Sequence, residues 1–490
     1  MNKDQIREIV SSLAAAGEGD GYLVVRAQSR RESGIRLSNG RFEYVGSGWE
    51  NGLGVQAFTA AGASGLAAAD VLSLKVGLEL VRRAVSLAER NEEIGGELNR
   101  ELWDAPVVQA DVPSPAAPNL PEIGELQPEM LLIHESLRQA RPQASWQTSL
   151  RLVQDLWCIG RSDGSLVSFT ISRSVIMHQG TVQENGRSQS LLVHRSGVDA
   201  GIVAQEKNER TLEQQAAERA DFALEVCRAP SLTAGHYPLV IDYGLAKGLA
   251  HEAFGHAVEA DGISESVLGE HGRLRKGLQV ARPGVHIIDG PLFGDWAYQP
   301  YSANALERKT VYIVRDGILE AGLGDIFSAR RAGMEVSGAG RAESYNYVPL
   351  PRMSNIRVLS ERVLPLEPSS RLPKEMQNLR NSLLQHGELK EHTLVLLGYR
   401  GGQVNPKTGD FVFQCDGIID LSDPGLKVYQ PSIFSGKILS ALQAIRAGIG
   451  DECFGAIGTC GKNGQSVPSS GGSHRYLLLD QDEQVSLGGA

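Results

Sequence analysis

The sequence predicts an α+β fold in two domains: an N-terminal mixed domain over residues 1–228 and a β-rich domain over 229–490. Three observations predict it. At 490 residues the chain is long enough for more than one hydrophobic core. Alternating apolar and polar runs punctuated by turn glycines recur in both halves, whereas most stretches of helical periodicity fall in the first. Between the halves, "RAPSLTAGHYPLVIDYG" breaks the pattern with proline and glycine before a short apolar strand, as a domain boundary does.

Taken in order, "MNKDQIREIVSSLAAAGEGDG" is an amphipathic helix pattern, unlike a signal peptide with its charged tip and apolar core. Residues 20–60 and the following "GLAAA" alternate in the manner of an antiparallel meander. "DVLSLKVGLELVRRAVSLAERN" spaces its apolar residues helically, with Asp70 placed to cap it. The proline-rich "APVVQADVPSPAAPNLPEIG" predicts an extended surface crossing. "QPEMLLIHESLRQARP" predicts a second helix, and strands resume from Thr148 to Gly180. Residues 201–228 predict a loop that becomes a long helix ending near Cys227. "YPLVID" is a strand feeding the helix of "GLAKGLAHEAFGHAVEADGI". Beyond residue 270, short glycine-punctuated strands dominate.

Composition limits the function classes. Net charge is −10 and no lysine- or arginine-rich block is present, which argues against a nucleic-acid partner. The arginines between Arg26 and Arg36 read as a solvated strand face. No run of about 18 apolar residues is present, so no transmembrane helix is expected, and the chain reads as cytoplasmic. The five cysteines are scattered and odd in number, which disfavours a disulfide framework.

The chemistry concentrates at His251-Glu252-Ala253-Phe254-Gly255-His256. The zinc-hydrolase motif H-E-x-x-H puts its histidines at i and i+4 on one helix face. Here they stand at i and i+5, roughly 140° apart on a regular helix. A shared metal therefore demands a π-type turn, a kink or a break between them, and Gly255 lies where distortion is easiest. The residues allow two readings: a metal site, or a buried helix with hydrogen-bonded histidines. A catalytic zinc site has three protein ligands and one open position. Candidates for the third ligand are Glu259, Asp261, a distant histidine or a cysteine. Cys460, in "IGTCGKNGQSVPSSGG", is expected in a tight loop with an accessible thiol and Lys462 nearby, whereas Cys453 beside Phe454 reads as packing.

The H-E-x-x-x-H with "VEADG" after it resembles the TldD/PmbA family of metalloproteases. So do "GRAESYNYVPLPRMSN", "GGQVNPKTGDFVFQC" and "TCGKNGQSVP", along with "SRRESGIRLSNGRFEYV" and "GLGVQAF" near the N-terminus. The blocks occur in the same order along the whole chain. The family has a TldD-type subunit that keeps H-E-x-x-x-H and a TldE/PmbA-type subunit that lacks it, and this chain resembles the first. The resemblance implies zinc held by His251, His256 and Cys460, with Glu252 as the general base. It further implies a heterodimer with a TldE/PmbA-like subunit, with a homodimer as the alternative. Substrates would be unfolded or short peptides, as in leader-peptide removal or antitoxin degradation. Arg341, Glu343 and Tyr345 match a family block, and Arg341 and Tyr345 are candidate substrate-binding residues. An acidic turn associated with the family is missing from "FGDWAYQPYSANALERKTVYIVRDG". Two other classes remain open at this stage: a cysteine peptidase pairing Cys460 with a histidine such as His474, and a non-catalytic peptide-binding subunit.

Overall fold

The computed structural model describes residues 1–17, 20–114, 121–203, 211–369 and 371–488. Helix α1 (Lys3–Ala14) opens with a capping box between Asn2 and Gln5. The meander follows as β1 (Tyr22–Ser38), β2 (Arg41–Phe58) and β3 (Ser64–Ala69). The next helix, α2, runs from Leu74 to Glu93, so its cap position falls at Ser73, three residues past the expected Asp70. Asp70 instead accepts a hydrogen bond from the Tyr345 hydroxyl.

The proline-rich crossing contributes a short strand, β4 (Gln109–Val112), and part of it lies outside the described residues. After α3 (Gln127–Ala140) come β5 (Ala144–Arg161), β6 (Leu166–Glu184) and β7 (Arg187–Gly197). The seven strands form one sheet in the order β3-β2-β1-β5-β6-β4, with β7 also on β6; only β4 pairs in parallel. Helix α4 (Leu212–Arg228) closes this part; the loop expected before it falls largely outside the described residues.

The second sheet is larger, with twelve strands drawn from residues 239–479. At its centre, β8 (Leu239–Asp242) lies between two strands, Leu394–Leu397 in parallel and Gln465–Leu479 antiparallel. All four residues of β8 are buried, as expected of a strand covered on both faces. Helix α5 (Tyr243–Ala250) leaves its end directly and packs on the strands Gln465–Leu479 and Asn355–Ser360. A further helix, α6 (Leu372–Gln385), lies in the stretch where short strands are expected. The architecture is α+β.

The two sheets are locked together. The ring of Tyr345 (2% exposed) covers Gly52 so closely that a Cβ there would overlap it, and its backbone oxygen does the same at Gly54. Arg26, expected to be solvated, is fully buried and donates to the Ala303 carbonyl, Asn304 Oδ1 and Gln56 Oε1. Among the described residues no helix is long and apolar enough to cross a membrane.

Candidate metal centre

The site begins where β8 becomes α5. Asp242 caps the helix: its Oδ1 accepts from Leu245 N (2.9 Å), while Oδ2 accepts from Gly398 N (2.6 Å) and ties down the neighbouring loop. Regular α-helix stops at Ala250. His251–Gly255 forms one π-helical turn, and the N–H of His256 donates to the carbonyl of His251. A π turn closes its bond at i+5, which is the correction that the histidine spacing demands. The imidazole rings come to 5.1 Å between centroids, nearly perpendicular. Gly255 has a second reason to be glycine, since a Cβ there would collide with Met353 Sδ.

Cys460 arrives from the other end of the chain. It does not occupy an open loop. It sits on the strand Gly458–Lys462, opposite Val467 in a hairpin with Gln465–Leu479, and is only 1% exposed. Asn463 and Gly464 make the two-residue turn with φ of 49° and 73°, the left-handed pair such hairpins require. The thiol Sγ lies 3.6 Å from His256 Nε2, and one donor atom from each of His251, His256 and Cys460 lies within 4.8 Å of the others.

The surroundings orient these groups. His256 Nδ1 bonds to Oε2 of the buried Glu259 (3.1 Å), so the ring turns Nε2 toward the sulfur. Glu259 is thus a support for His256, and its Oε2 also takes Lys462 Nζ at 2.7 Å. Lys462 bridges to Asp261 as well (2.7 Å), so it serves the carboxylates and not the thiol. The cation facing Cys460 is Arg352, fully buried, with Nε 3.3 Å from Sγ and a second bond to the Cys460 carbonyl. Lys247, one helical turn before His251, is buried with Nζ 3.3 Å from Ser469 Oγ. Sequence reasoning missed both. Lys247 was accessible through the i, i+4 rule of helix faces; Arg352 carries no local signal.

Electrostatics follow from this packing. Burial, with Lys247 and His256 nearby, holds His251 neutral by pushing its pKa well below the usual value. Burial opposes charge on His256 too, but Glu259 and Cys460 outweigh it and raise the ring to about 10. Burial lifts the Glu252 carboxyl above the ordinary carboxylate range, against His256 and Lys247. The donor set fits zinc: two imidazoles and a thiol converge, with His251 and Cys460 buried and His256 half-buried. The buried His251 Nδ1 lacks a hydrogen-bond partner among the described residues, as a group awaiting a ligand would.

The other sequence candidates lie elsewhere. His474 directs Nδ1 to the Gly450 carbonyl (3.3 Å) and Nε2 to the Ser360 backbone (3.2 Å), so it is not the partner of Cys460. Cys453 stands outside the donor group, and burial raises its thiol pKa. Glu343 accepts from Ser466 N (2.6 Å) on the hairpin that carries Cys460. Arg341, 1% exposed, donates to Gln299 Oε1 and to the carbonyls of Met353 and Pro468. Tyr345 joins the two sheets as described.

Two models of one family match the sequence: the PmbA/TldA metallopeptidase C-terminal domain over residues 234–463, and domain 1 of the same family over 23–88. The chain belongs to the PmbA/TldD family. A metalloprotease of Methanocaldococcus jannaschii is 26% identical over 470 residues, covering 95% of this chain and 97% of the relative. A zinc metalloprotease TldD homolog of Saccharolobus solfataricus is 28% identical over 245 residues, about half of each chain (49% and 50%). The crystal structure of TldE from Thermococcus kodakarensis shares the fold, with a TM-score of 0.72 at 12% identity over 99% of this chain and 100% of that one. Family and relatives support a metallopeptidase.

Proposed function

We propose that the chain is the TldD-type, zinc-dependent peptidase of its family, with His251, His256 and Cys460 as ligands and Glu252 as general base. The observation that carries this reading is the convergence of the three donor groups, made possible by the π turn, with Glu252 beside the first of them. Zinc at such a site supplies Lewis acidity, polarising a carbonyl and bringing the pKa of a bound water to about 7.

The protein's own groups do the rest. Glu252 accepts a proton from the attacking water and hands it to the leaving amine; its burial-raised pKa suits a base that must also act as an acid. Glu259, braced by Lys462, fixes the orientation of His256. Arg352 holds both the backbone and the sulfur of Cys460 in place.

The strand that carries Cys460 pairs only with Gln465–Leu479 among the described residues, leaving an edge on which an extended peptide can add by backbone hydrogen bonds. Unfolded or short peptides are therefore the substrate class, as in leader-peptide removal or antitoxin degradation. The partner is a TldE/PmbA-like subunit lacking H-E-x-x-x-H, or a second copy of this chain. A cleft closed by a partner admits extended peptides and excludes folded proteins.

The test is metal analysis and peptide cleavage on the purified chain, alone and co-expressed with a TldE-like subunit. About one zinc per chain and chelator-sensitive cleavage of an unstructured peptide are expected. Full metal retention in Cys460→Ala, or cleavage indifferent to chelator, would sink the reading.

A further inference from the structure

A cavity of about 180 Å³ lies between the first sheet and the hairpin that bears Cys460. Its floor includes Thr459 and Val467, which flank and face the thiol position on that hairpin. Four arginines line it: Arg30, Arg151, Arg173 and Arg341. The first two stand at its more exposed side and share the carboxylate of Glu32.

The other two differ. Arg173 is 6% exposed; its Nε donates to the Trp296 carbonyl (2.7 Å), and no carboxylate reaches salt-bridge distance of it among the described residues. Arg341 likewise bonds only to neutral oxygens, those of Gln299, Met353 and Pro468. The two acids in the wall are otherwise engaged. Asp155 accepts from Gln28 Nε2 (2.8 Å) and Trp157 Nε1 (3.0 Å), and Glu343 accepts from Ser466 N. Burying a guanidinium without a paired carboxylate is unfavourable: burial pushes the Arg173 pKa down to about 10, and the Asp155 and Asp295 charges offset it only in part against Arg30 and Arg151. Two such groups facing one cavity next to a catalytic strand make a receptor for an anion. Guanidinium groups match the planar, two-oxygen geometry of a carboxylate. By its share of liquid volume the cavity has room for about six waters, enough for a carboxylate and a small side chain.

We propose that this cavity is a carboxylate subsite of the peptidase cleft, with Arg173 and Arg341 receiving either the C-terminal carboxylate or an acidic side chain of an extended peptide. The proposal rests on the peptidase reading above. An extended peptide added to the edge of the Cys460 strand runs past this cavity, so one substrate position is chosen by charge while the rest of the chain is held by backbone.

The test uses the full-length Glu252→Gln chain loaded with zinc, and one unstructured fluorescent peptide in four versions. These combine a free or amidated C-terminus with an internal glutamate or glutamine. Fluorescence anisotropy gives the affinity of each. At least one carboxylate version should bind about tenfold tighter than its amide counterpart. Which pair differs tells the C-terminus from the side chain. Arg173→Gln should erase that preference, and Arg151→Gln, at the exposed side, should weaken it less. Equal binding of all four peptides by the parent chain would overturn the subsite while leaving the peptidase reading intact, and that comparison needs no arginine variant to fold. Preference that persists in a folded, zinc-loaded Arg173→Gln chain would also overturn it. Failure of every peptide to bind, with no cleavage by the unsubstituted chain, would overturn both.

Discussion

Among the described residues two pairs of histidines meet inside the molecule, and their surroundings differ. Against the first sheet, His134 of α3 and His178 of β6 meet across Thr148, whose hydroxyl lies 2.9 Å from one ring and 3.1 Å from the other. His134 Nε2 further accepts from Gly40 N, and the nearest acid to His178 is Glu213 at 3.9 Å. Beside the second sheet, at the turns that follow α5, His251 and His256 meet a thiol, one ring braced by a carboxylate and the other with a nitrogen unpartnered among the described residues. A pair of close histidines is therefore not what distinguishes a metal site. At the proposed metal centre a third donor, and a carboxylate behind one ring to fix its tautomer, make the difference.

The largest expected effect comes from removing that difference. His256→Ala and Cys460→Ala should each lose stoichiometric zinc by atomic absorption, whereas His178→Ala should keep it and show only a lowered melting temperature, by about 1–3 kcal/mol of stability. Zinc loss in His178→Ala, in chains that remain folded, would erase the contrast. Next, Glu252→Gln should retain both fold and zinc while peptide cleavage falls about 10²–10⁴-fold, the usual share of a general base. Near-normal turnover would remove Glu252 from the chemistry. A smaller effect is expected at Glu259→Gln, where zinc affinity should weaken about 10–100-fold as the brace on His256 loosens; competition with a calibrated chelator measures it.

The effect furthest from the metal lies on the structural pair and its neighbour His194. Burial lowers His178 to about 3, helped by the nearby positive charge of His134 and Arg195, and burial lowers His194 to about 4. Their folded pKa values lie below the unfolded value near 6.5, so the unfolded chain takes up protons first. The stability they contribute is complete above pH about 6.5 and declines as pH falls toward 3–4. Each should cost roughly 1 kcal/mol per pH unit in that window. Denaturant unfolding at pH 7 and pH 5 measures it, and equal midpoints would contradict the buried, neutral assignment.

How legible this was depended on how local the cause was. A metal shared by His251 and His256 demands a distorted helix, and the π turn is the distortion found. The strand leading into that helix was also readable, because β8 and its small-residue helix are contiguous. The glycines around Cys460 predict an open loop, although Asn463-Gly464 is a strong two-residue hairpin signal that marks a strand on each side. Arg26 was read as solvated because its burial comes from Ala303 and Asn304, far along the chain. Arg352 and the true role of Lys462 were hidden for the same reason: their partners lie 108 and 203 residues away. Helix α6 was overlooked among strands, its amphipathic pattern following a proline that stands within its first turn.

The hairpin that delivers Cys460 also has a consequence in time. The thiol meets His256 across 204 residues of chain. During synthesis both histidines and Glu252 leave the ribosome long before the cysteine does, and the strand Gln465–Leu479 that pins the cysteine comes later still. On the zinc-peptidase reading, a nascent chain carries two of the three ligands and no closed site until Cys460 has been added. On that reading proteolytic competence is deferred until the final β-hairpin docks, so an unfinished polypeptide, itself an extended peptide, is not exposed to its own chemistry.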